Sequence, residues 1–284
     1  MKSSGFTKNV LASLLLWYIF LPSVAQITGF SNIKWTREKI APGLVWKSSH
    51  TVLNDTMPQN INLLVVNLRK RSLSIQYDHT KNRTTSSQAE SAGALAAVNA
   101  GFFNIKDGGS VTYIRSNGLI AETDTAGKWK RNSNMTGSLL IDDDREVFIK
   151  ESMPNSWYDS NPDYEDVLIT GPLLMKGSQP VRLPETSLVI SRHPRSAAGT
   201  ISSNKVLLLT IDGRTGESYG MTLPELAELM RLLGCKDAIN LDGGGSTTMW
   251  INGKPFNGVV NMPCDNKLFD HLGERAVSDI LIVK

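Results

Sequence analysis

The sequence predicts an α+β, or mixed α/β, fold: a single domain with a mixed β-sheet flanked by helices, containing one βαβ unit at about residues 205–250. Three observations predict it. "KVLLLTIDGR" (205–214) and "DAINLDGGGS" (237–246) are apolar β-type runs, each ending in Asp-Gly. Between them, "TLPELAELMRLLG" (222–234) sets Leu223, Leu226, Met230 and Leu233 at spacings of three and four, on one helical face. A composition of 40% hydrophobic and 20% charged residues lets a chain of this length bury one core without staples.

In chain order, residues 1–25 read as a signal peptide. Lys2 and Lys8 precede an apolar stretch from about Val10 to Leu21, and Ser23-Val24-Ala25 has the small-x-small pattern of a cleavage site. The stretch is short of the roughly 20 residues that span a bilayer, and no later segment is long and apolar enough. The expected protein is exported, periplasmic or secreted, with no membrane span after cleavage. Beyond the signal, 28 basic residues face 27 acidic ones, a balance that predicts no nucleic-acid partner.

Residues 26–93 read as N-terminal strands and loops packed on a main domain at 94–284. "NINLLVVNL" (60–68) and "LSIQY" (73–77) are strand-like, and the charged "RKR" between them suggests a hairpin-like connection. "TKNRTTSSQ" (80–88) reads as a polar loop, and "KDGGSVTYIRSNG" (106–118) as a Gly-rich loop with a short strand. "PNSWYDSNPDY" (154–164) is a long aromatic-bearing loop of the kind that covers sites. The helix at 222–234 carries its own punctuation: Thr222 and Glu225 form a capping box, Pro224 lies in the first turn, and Gly234 stops it. Cys235 and Cys264 lack the spacing of a zinc site; a bond between them and two separate thiols account for the pair equally well. His50, His79, His193 and His271 are scattered and form no metal-binding pair.

A strand–helix–strand connection of this length normally gives parallel strands, so Asp212 and Asp242 are expected at the same sheet edge. Ligands bind such sheets beyond the strand carboxyl ends, and the run Gly243-Gly244-Gly245 offers a concave nest for anionic oxygens. Its spacing fits neither a P-loop nor a dinucleotide fingerprint.

Six linked segments carry a resemblance: "AVNAGFFN" (97–104), "ITGPLLMKGSQP" (169–180), "RHPRSAAGT" (192–200), "LLLTIDGR" (207–214), "GMTLPELAELMRLLGCKDAINLDGGGSTTMWINGK" (220–254) and "VNMPCDNKLFDHLGERAVSDILIV" (260–283). In this order the chain resembles the phosphodiester glycosidase family. The resemblance implies hydrolysis of the bond between a sugar C1, alpha-N-acetylglucosamine being a candidate, and the oxygen of a phosphodiester. The implied partner is a phosphorylated glycan or sugar-1-phosphodiester.

Glycoside hydrolysis ordinarily takes two carboxyl groups. A phosphate leaves more readily than a sugar hydroxyl, so the main needs are cationic and N–H binding for the phosphate and one carboxylate near C1. Asp242 is the first candidate for that carboxylate, Asp212 the second and Asp265 the third. Arg195, Arg214 and Arg275, with Arg192 beside them, can hold phosphate oxygens in bidentate forks. Asn99 and Asn240 can bond sugar hydroxyls, and Phe102 or Phe103 can stack on a sugar face. Gly101, Thr170, Gly171 and Ser246 complete the expected substrate site. No cofactor is expected, with Mg or Ca left open, because two rival readings remain. A metal-dependent phosphoesterase would use Asp212, Asp242 and Asp265 as oxygen ligands, and a non-catalytic glycan- or phosphate-binding module would keep the arginines and aromatics alone.

Overall fold

The computed structural model describes residues 26–78, 82–122 and 133–284. Residues 1–25, read above as a signal peptide, His79 and the first residues of the 80–88 stretch lie outside them. Among the described residues 41% lie in strands and 14% in helices.

The strands in chain order are β1 (Thr36–Ala41), β2 (Leu44–Leu53), β3 (Met57–Asn67), β4 (Leu73–Tyr77), β5 (Arg83–Thr84), β6 (Ala96–Asn99), β7 (Ile114–Ser116), β8 (Leu119–Glu122), β9 (Gly137–Ile141) and β10 (Val147–Glu151). They continue with β11 (Asp166–Thr170), β12 (Leu173–Lys176), β13 (Gln179–Pro180), β14 (Arg195–Ser202), β15 (Lys205–Ile211), β16 (Asp237–Asn240), β17 (Met249–Ile251), β18 (Ala276–Val277) and β19 (Asp279–Val283). The helices are α1 (Thr85–Ser91), α2 (Asn155–Asp159), α3 (Ser187–Ile190) and α4 (Leu223–Leu232). An eight-stranded sheet runs β1-β2-β3-β15-β14-β16-β12-β13, a five-stranded one β10-β9-β11-β7-β8, and a four-stranded one β17-β6-β19-β4.

The expected mixed α/β class is therefore corrected: the chain is mostly antiparallel β-sheet. β15, α4 and β16 follow in the expected order, but β14 lies between the two strands and pairs antiparallel with both. The misreading has a physical cause. β15 buries Leu207, Leu209 and Ile211 in a core beneath α4, and Val206 and Leu208 in a second core facing the four- and five-stranded sheets. A strand covered on both faces reads as a continuous apolar run whether its neighbours are parallel or not.

Other expectations shift for similar reasons. β3 and β4 form no hairpin: β3 pairs with β2 and β15, whereas β4 pairs with β19 in another sheet. The turn between them is closed by Asn67 O, which accepts from Lys70 N and Arg71 N. The stretch read as polar loop 80–88 holds β5 and the start of α1, where Thr84 caps the helix by accepting from Ser87 N. The loop 154–164 contains the short α2. The capping box of α4 forms as its sequence dictates: Thr222 Oγ1 accepts from Glu225 N, and the Glu225 carboxylate accepts from Thr222 N. α4 presses on β14 at Gly199, where a Cβ would lie 2.6 Å from Cys235 Sγ and 2.7 Å from Met230 Cε. Cys235 and Cys264 are separate, buried thiols.

Candidate active site

The antiparallel insertion of β14 still leaves Asp212 and Asp242 at one edge, because β15 and β16 both run opposite to it. Between their ends sits the start of β14, led by His193-Pro194-Arg195. Asp242 is handed from the large sheet to the four-stranded one: Leu241 N donates to Ser196 O (2.9 Å), and Asp242 N to Ala100 O (2.7 Å). Asn99, fully buried at the end of β6, fixes this junction. Its Nδ2 donates to Asp242 O (2.6 Å), and its Oδ1 accepts from Ser196 Oγ (2.6 Å) and Thr248 N (3.1 Å).

Asp242 itself is half-buried. Burial pushes its carboxyl up to about 6, the Asp279 charge adds to the rise, and Ser246, the Gly243 amide and Arg275 oppose it. Asp279 was not singled out in the sequence. It is fully buried at the start of β19 and accepts from Gly101 N and Ser278 Oγ (both 2.5 Å); burial raises it to about 6. An acid placed directly before the apolar "ILIV" was the available signal.

Asp212 is differently placed. It is buried, with Oδ1 accepting from Asn261 Nδ2 (2.8 Å) and Oδ2 from Asn60 Nδ2 (2.6 Å) and Met262 N (3.0 Å). Burial raises it to about 7 against the pull of these donors. Both oxygens are thus engaged in joining β3, β15 and the 261–262 segment. Among the described residues Asp212, Asp242 and Asp265 do not form a metal-holding group.

The glycine run forms a 3-10 turn at Gly244–Ser246, and each glycine faces a different neighbour. A Cβ on Gly243 would lie 2.6 Å from Pro194 O. Gly244 has φ +63°, and a Cβ there would lie 2.9 Å from Arg214 Nη2. On Gly245 it would overlap the Arg275 guanidinium and lie 2.6 Å from Asp265 Oδ1. The run is therefore held between two cations. Arg275 Nε donates to Asp265 Oδ1 (2.9 Å). Arg214 Nη2 lies 3.3 Å from His193 Nδ1, whose ring is kept below its ordinary pKa by burial and by the Arg195 and Arg214 charges. Cys264 Sγ sits 3.8 Å from Gly244 O beside Arg214 and Arg275; burial pushes its thiol up while the two guanidiniums pull it down.

Not every expected residue reaches this cluster. Arg195 is buried, donating Nε to Met221 O (2.7 Å) and Nη2 to Leu188 O (2.8 Å) and Ser191 O (2.7 Å). Arg192 pairs with Glu225 and donates to Gly220 O (3.0 Å). Asn240 donates Nδ2 to Gly171 O (2.7 Å), while its buried Oδ1 has no partner. Thr170 is buried in β11, and the Gly171–Pro172 peptide is cis. Gly101 packs against Leu168 and Asp279, where a Cβ would lie 2.8 Å and 2.9 Å from their side chains. Phe102 packs against the cluster that holds Val111, Tyr113 and Tyr158, and Phe103 belongs to the one that holds Ala97, Trp250 and Ile280, so the pair divides between two cores. A cavity of about 540 Å³ lies at the other ends of β14 and β16, lined by Thr200, Ser202, Lys236, Asp237 and β10, and touches none of these residues.

Residues 92–284 match the family model described as phosphodiester glycosidase. The mouse N-acetylglucosamine-1-phosphodiester alpha-N-acetylglucosaminidase is 28% identical over 61% of this chain and 35% of its own length. The SPbeta prophage-derived protein YomE of Bacillus subtilis (strain 168) is 36% identical over 32% of this chain and 13% of its own. The chain thus spans about a third or less of these curated relatives. Among solved structures, the zebrafish N-acetylglucosamine-1-phosphodiester alpha-N-acetylglucosaminidase catalytic domain, auto-inhibited by its pro-peptide, superposes with TM-score 0.66 at 20% identity, covering 88% of this chain and 87% of that one. A hypothetical protein from Synechocystis gives 0.64 at 15% identity, over 88% and 63%. These two share the fold.

Proposed function

This chain belongs to the phosphodiester glycosidase family, and we propose that it hydrolyses the bond between a sugar C1 and a phosphodiester oxygen at the Asp242 cluster. The observation that carries the reading is a half-buried carboxylate beside a glycine turn that is flanked by Arg214 and Arg275. The phosphodiester lies against the turn and the two guanidiniums, which neutralise the charge left on the departing oxygen. Asp242 attacks C1 or takes the proton of the water that attacks it. The C1–O bond breaks with its electrons passing to the phosphate, and the products are the free sugar and a phosphate monoester that keeps its second ester arm. No metal enters this step, so chelation is expected to leave turnover unchanged. Alpha-N-acetylglucosamine is the first sugar to test, because the mouse relative is named for it. Export follows the reading of residues 1–25, and fractionation of the expressing cell tests it.

The deciding experiment is hydrolysis of a sugar-1-phosphodiester in ¹⁸O water. Label in the sugar supports C–O cleavage; label in the phosphate overturns it. Asp242→Asn keeps the shape but removes the basicity, and is expected to slow turnover by about a hundredfold or more. With an ionised Asp242 required, turnover should rise with pH through about 6; a flat profile would remove Asp242 from the chemistry.

A further inference from the structure

We infer that Asp279 is a positioning residue for the reaction at Asp242: one peptide group joins the two acids, so that the Asp279 carboxylate both fixes the Asp242 backbone and faces it with a second negative charge. The inference rests on the glycosidase reading of Asp242. The joining peptide lies between Ala100 and Gly101. Its carbonyl accepts from Asp242 N (2.7 Å), and its N–H donates to Asp279 Oδ1 (2.5 Å). Ala100 N donates in turn to the Asp279 carbonyl (3.2 Å), so Asp279 grips this stretch through its backbone and its side chain together. Gly101 has to be glycine for the grip to close, because a Cβ there would lie 2.9 Å from Asp279 Oδ1. An amide whose N–H donates to a carboxylate is polarised by it, and its carbonyl becomes the stronger acceptor. That carbonyl holds the Asp242 N–H, while Asn99 Nδ2 holds the Asp242 carbonyl (2.6 Å).

Hydrogen bonding alone does not call for an acid at this position. Asp279 has two donors, Gly101 N and Ser278 Oγ, and among the described residues no cation pairs with it. An asparagine would serve both neighbours, accepting from Gly101 N and donating to Ser278 Oγ. A fully buried carboxylate is the costlier choice, and what it adds is charge. Burial is the main cause of the raised pKa of Asp242; of the charges that reach it, Arg275 opposes the rise and Asp279 adds to it. The other ionisable groups nearby are engaged elsewhere: Arg214 with His193, Arg195 with three carbonyls, Asp265 with Arg275, and Asp212 with Asn60 and Asn261. A base works best when its pKa lies near the working pH. Asp279 therefore offsets the pull of Arg275, the cation the phosphate needs, which would otherwise leave Asp242 a weaker base.

The test is the pH dependence of kcat/KM for a sugar-1-phosphodiester, with carboxyl ¹³C titration of the same intact proteins. Asp279→Asn keeps the acceptor for Gly101 N and removes the charge. It is expected to leave the high-pH rate within a few-fold of wild type and to move the acid limb, at about 6 in the wild type, to lower pH by about half a unit or more. Asp279→Ala removes acceptor and charge together, and should move the limb likewise while costing about tenfold or more in the high-pH rate, because the base is no longer held in place. Ser278→Ala, a smaller change, takes a donor from Asp279, leaves it protonated to higher pH, and should move the limb in the same direction. A limb that stays in place in Asp279→Asn overturns the inference; should that variant not fold, an unmoved limb in Ser278→Ala does so instead. A folded Asp279→Ala variant with the full high-pH rate also overturns it. The carboxyl titration needs no substrate and separates the two readings. If the Asp242 midpoint drops in Asp279→Asn but the wild type hydrolyses no sugar-1-phosphodiester, the glycosidase reading is overturned and only the pairing of the two acids stands. An unmoved midpoint with turnover intact overturns the Asp279 inference alone.

Discussion

Asp212 and Asp242 leave neighbouring parts of one sheet edge, yet their surroundings assign them different tasks. Asp212 spends both oxygens on three N–H donors from Asn60, Asn261 and Met262. In Asp212→Asn one oxygen becomes an NH₂ group that faces donors, and each buried donor left unpaired costs roughly 1–3 kcal/mol. The expected result is a clearly lowered thermal midpoint, with activity lost only as folding is lost. Wild-type melting with abolished turnover would instead make Asp212 the working acid. The glycine run separates in the same way. Gly243→Ala drives a methyl group against the Pro194 carbonyl, a backbone atom that cannot swing aside, so it should lower the melting temperature. Gly245→Ala meets the Arg275 and Asp265 side chains, which can move, so it should cost turnover more than stability. Melting and kinetics of the two variants, measured together, test whether the run serves as turn, as site, or as both at different residues.

At the scale of elements, legibility tracks how local the determinants are. The cap of α4 lies within four residues of sequence and could be read directly; Thr222→Ala should cost about 1 kcal/mol, seen as a shift in denaturation midpoint. The Asp-Gly ends of β15 and β16 were readable for the same reason. The partners that give those ends their character were not. Asn60, Asn261 and Asp279 lie far along the chain from the aspartates they hold or influence; nothing in the local sequence marks the two asparagines, and the acid before "ILIV" marks Asp279 as unusual without saying which carboxylate it faces. Arg195 shows the converse. Its place in "RHPR" suggested an anion fork, but its donors knit the carbonyls of Leu188, Ser191 and Met221 to the start of β14. Arg195→Lys can offer one ammonium where a planar fork spans separate carbonyls, so the expected loss is in stability. A stable Arg195→Lys variant with lost turnover would return it to the site. Strand direction was illegible for a physical reason, since burial on both faces erases the alternation that identifies an antiparallel strand.

The whole molecule is layered: α3 and α4 cover one face of the eight-stranded sheet, and the four- and five-stranded sheets cover the other. That thickness buries Asp166, Asp212 and Asp279 and leaves Asp242 half-buried at the sheet edge. Burial raises Asp166 to about 6, Asp212 to about 7, and Asp242 and Asp279 to about 6, all from an ordinary 3.8. An acid whose folded pKa lies above its unfolded one binds more protons when folded. Its contribution to stability is therefore fully present below about 4 and is lost as pH rises through 6 to 7. His193, held below its ordinary 6.5, acts in the opposite sense, adding stability above that value and losing it on acidification. Four raised carboxyls outweigh one lowered imidazole, so the thermal midpoint should be higher near pH 5 than near pH 8. Activity should run the other way, because the Asp242 reaction needs the charged form. The protein is then expected to be most stable where it is least active. Melting curves and turnover recorded across the same pH series test this opposition: a midpoint that rises steadily from pH 5 to pH 8 would show that these acids are ionised throughout and that burial does not govern their charge.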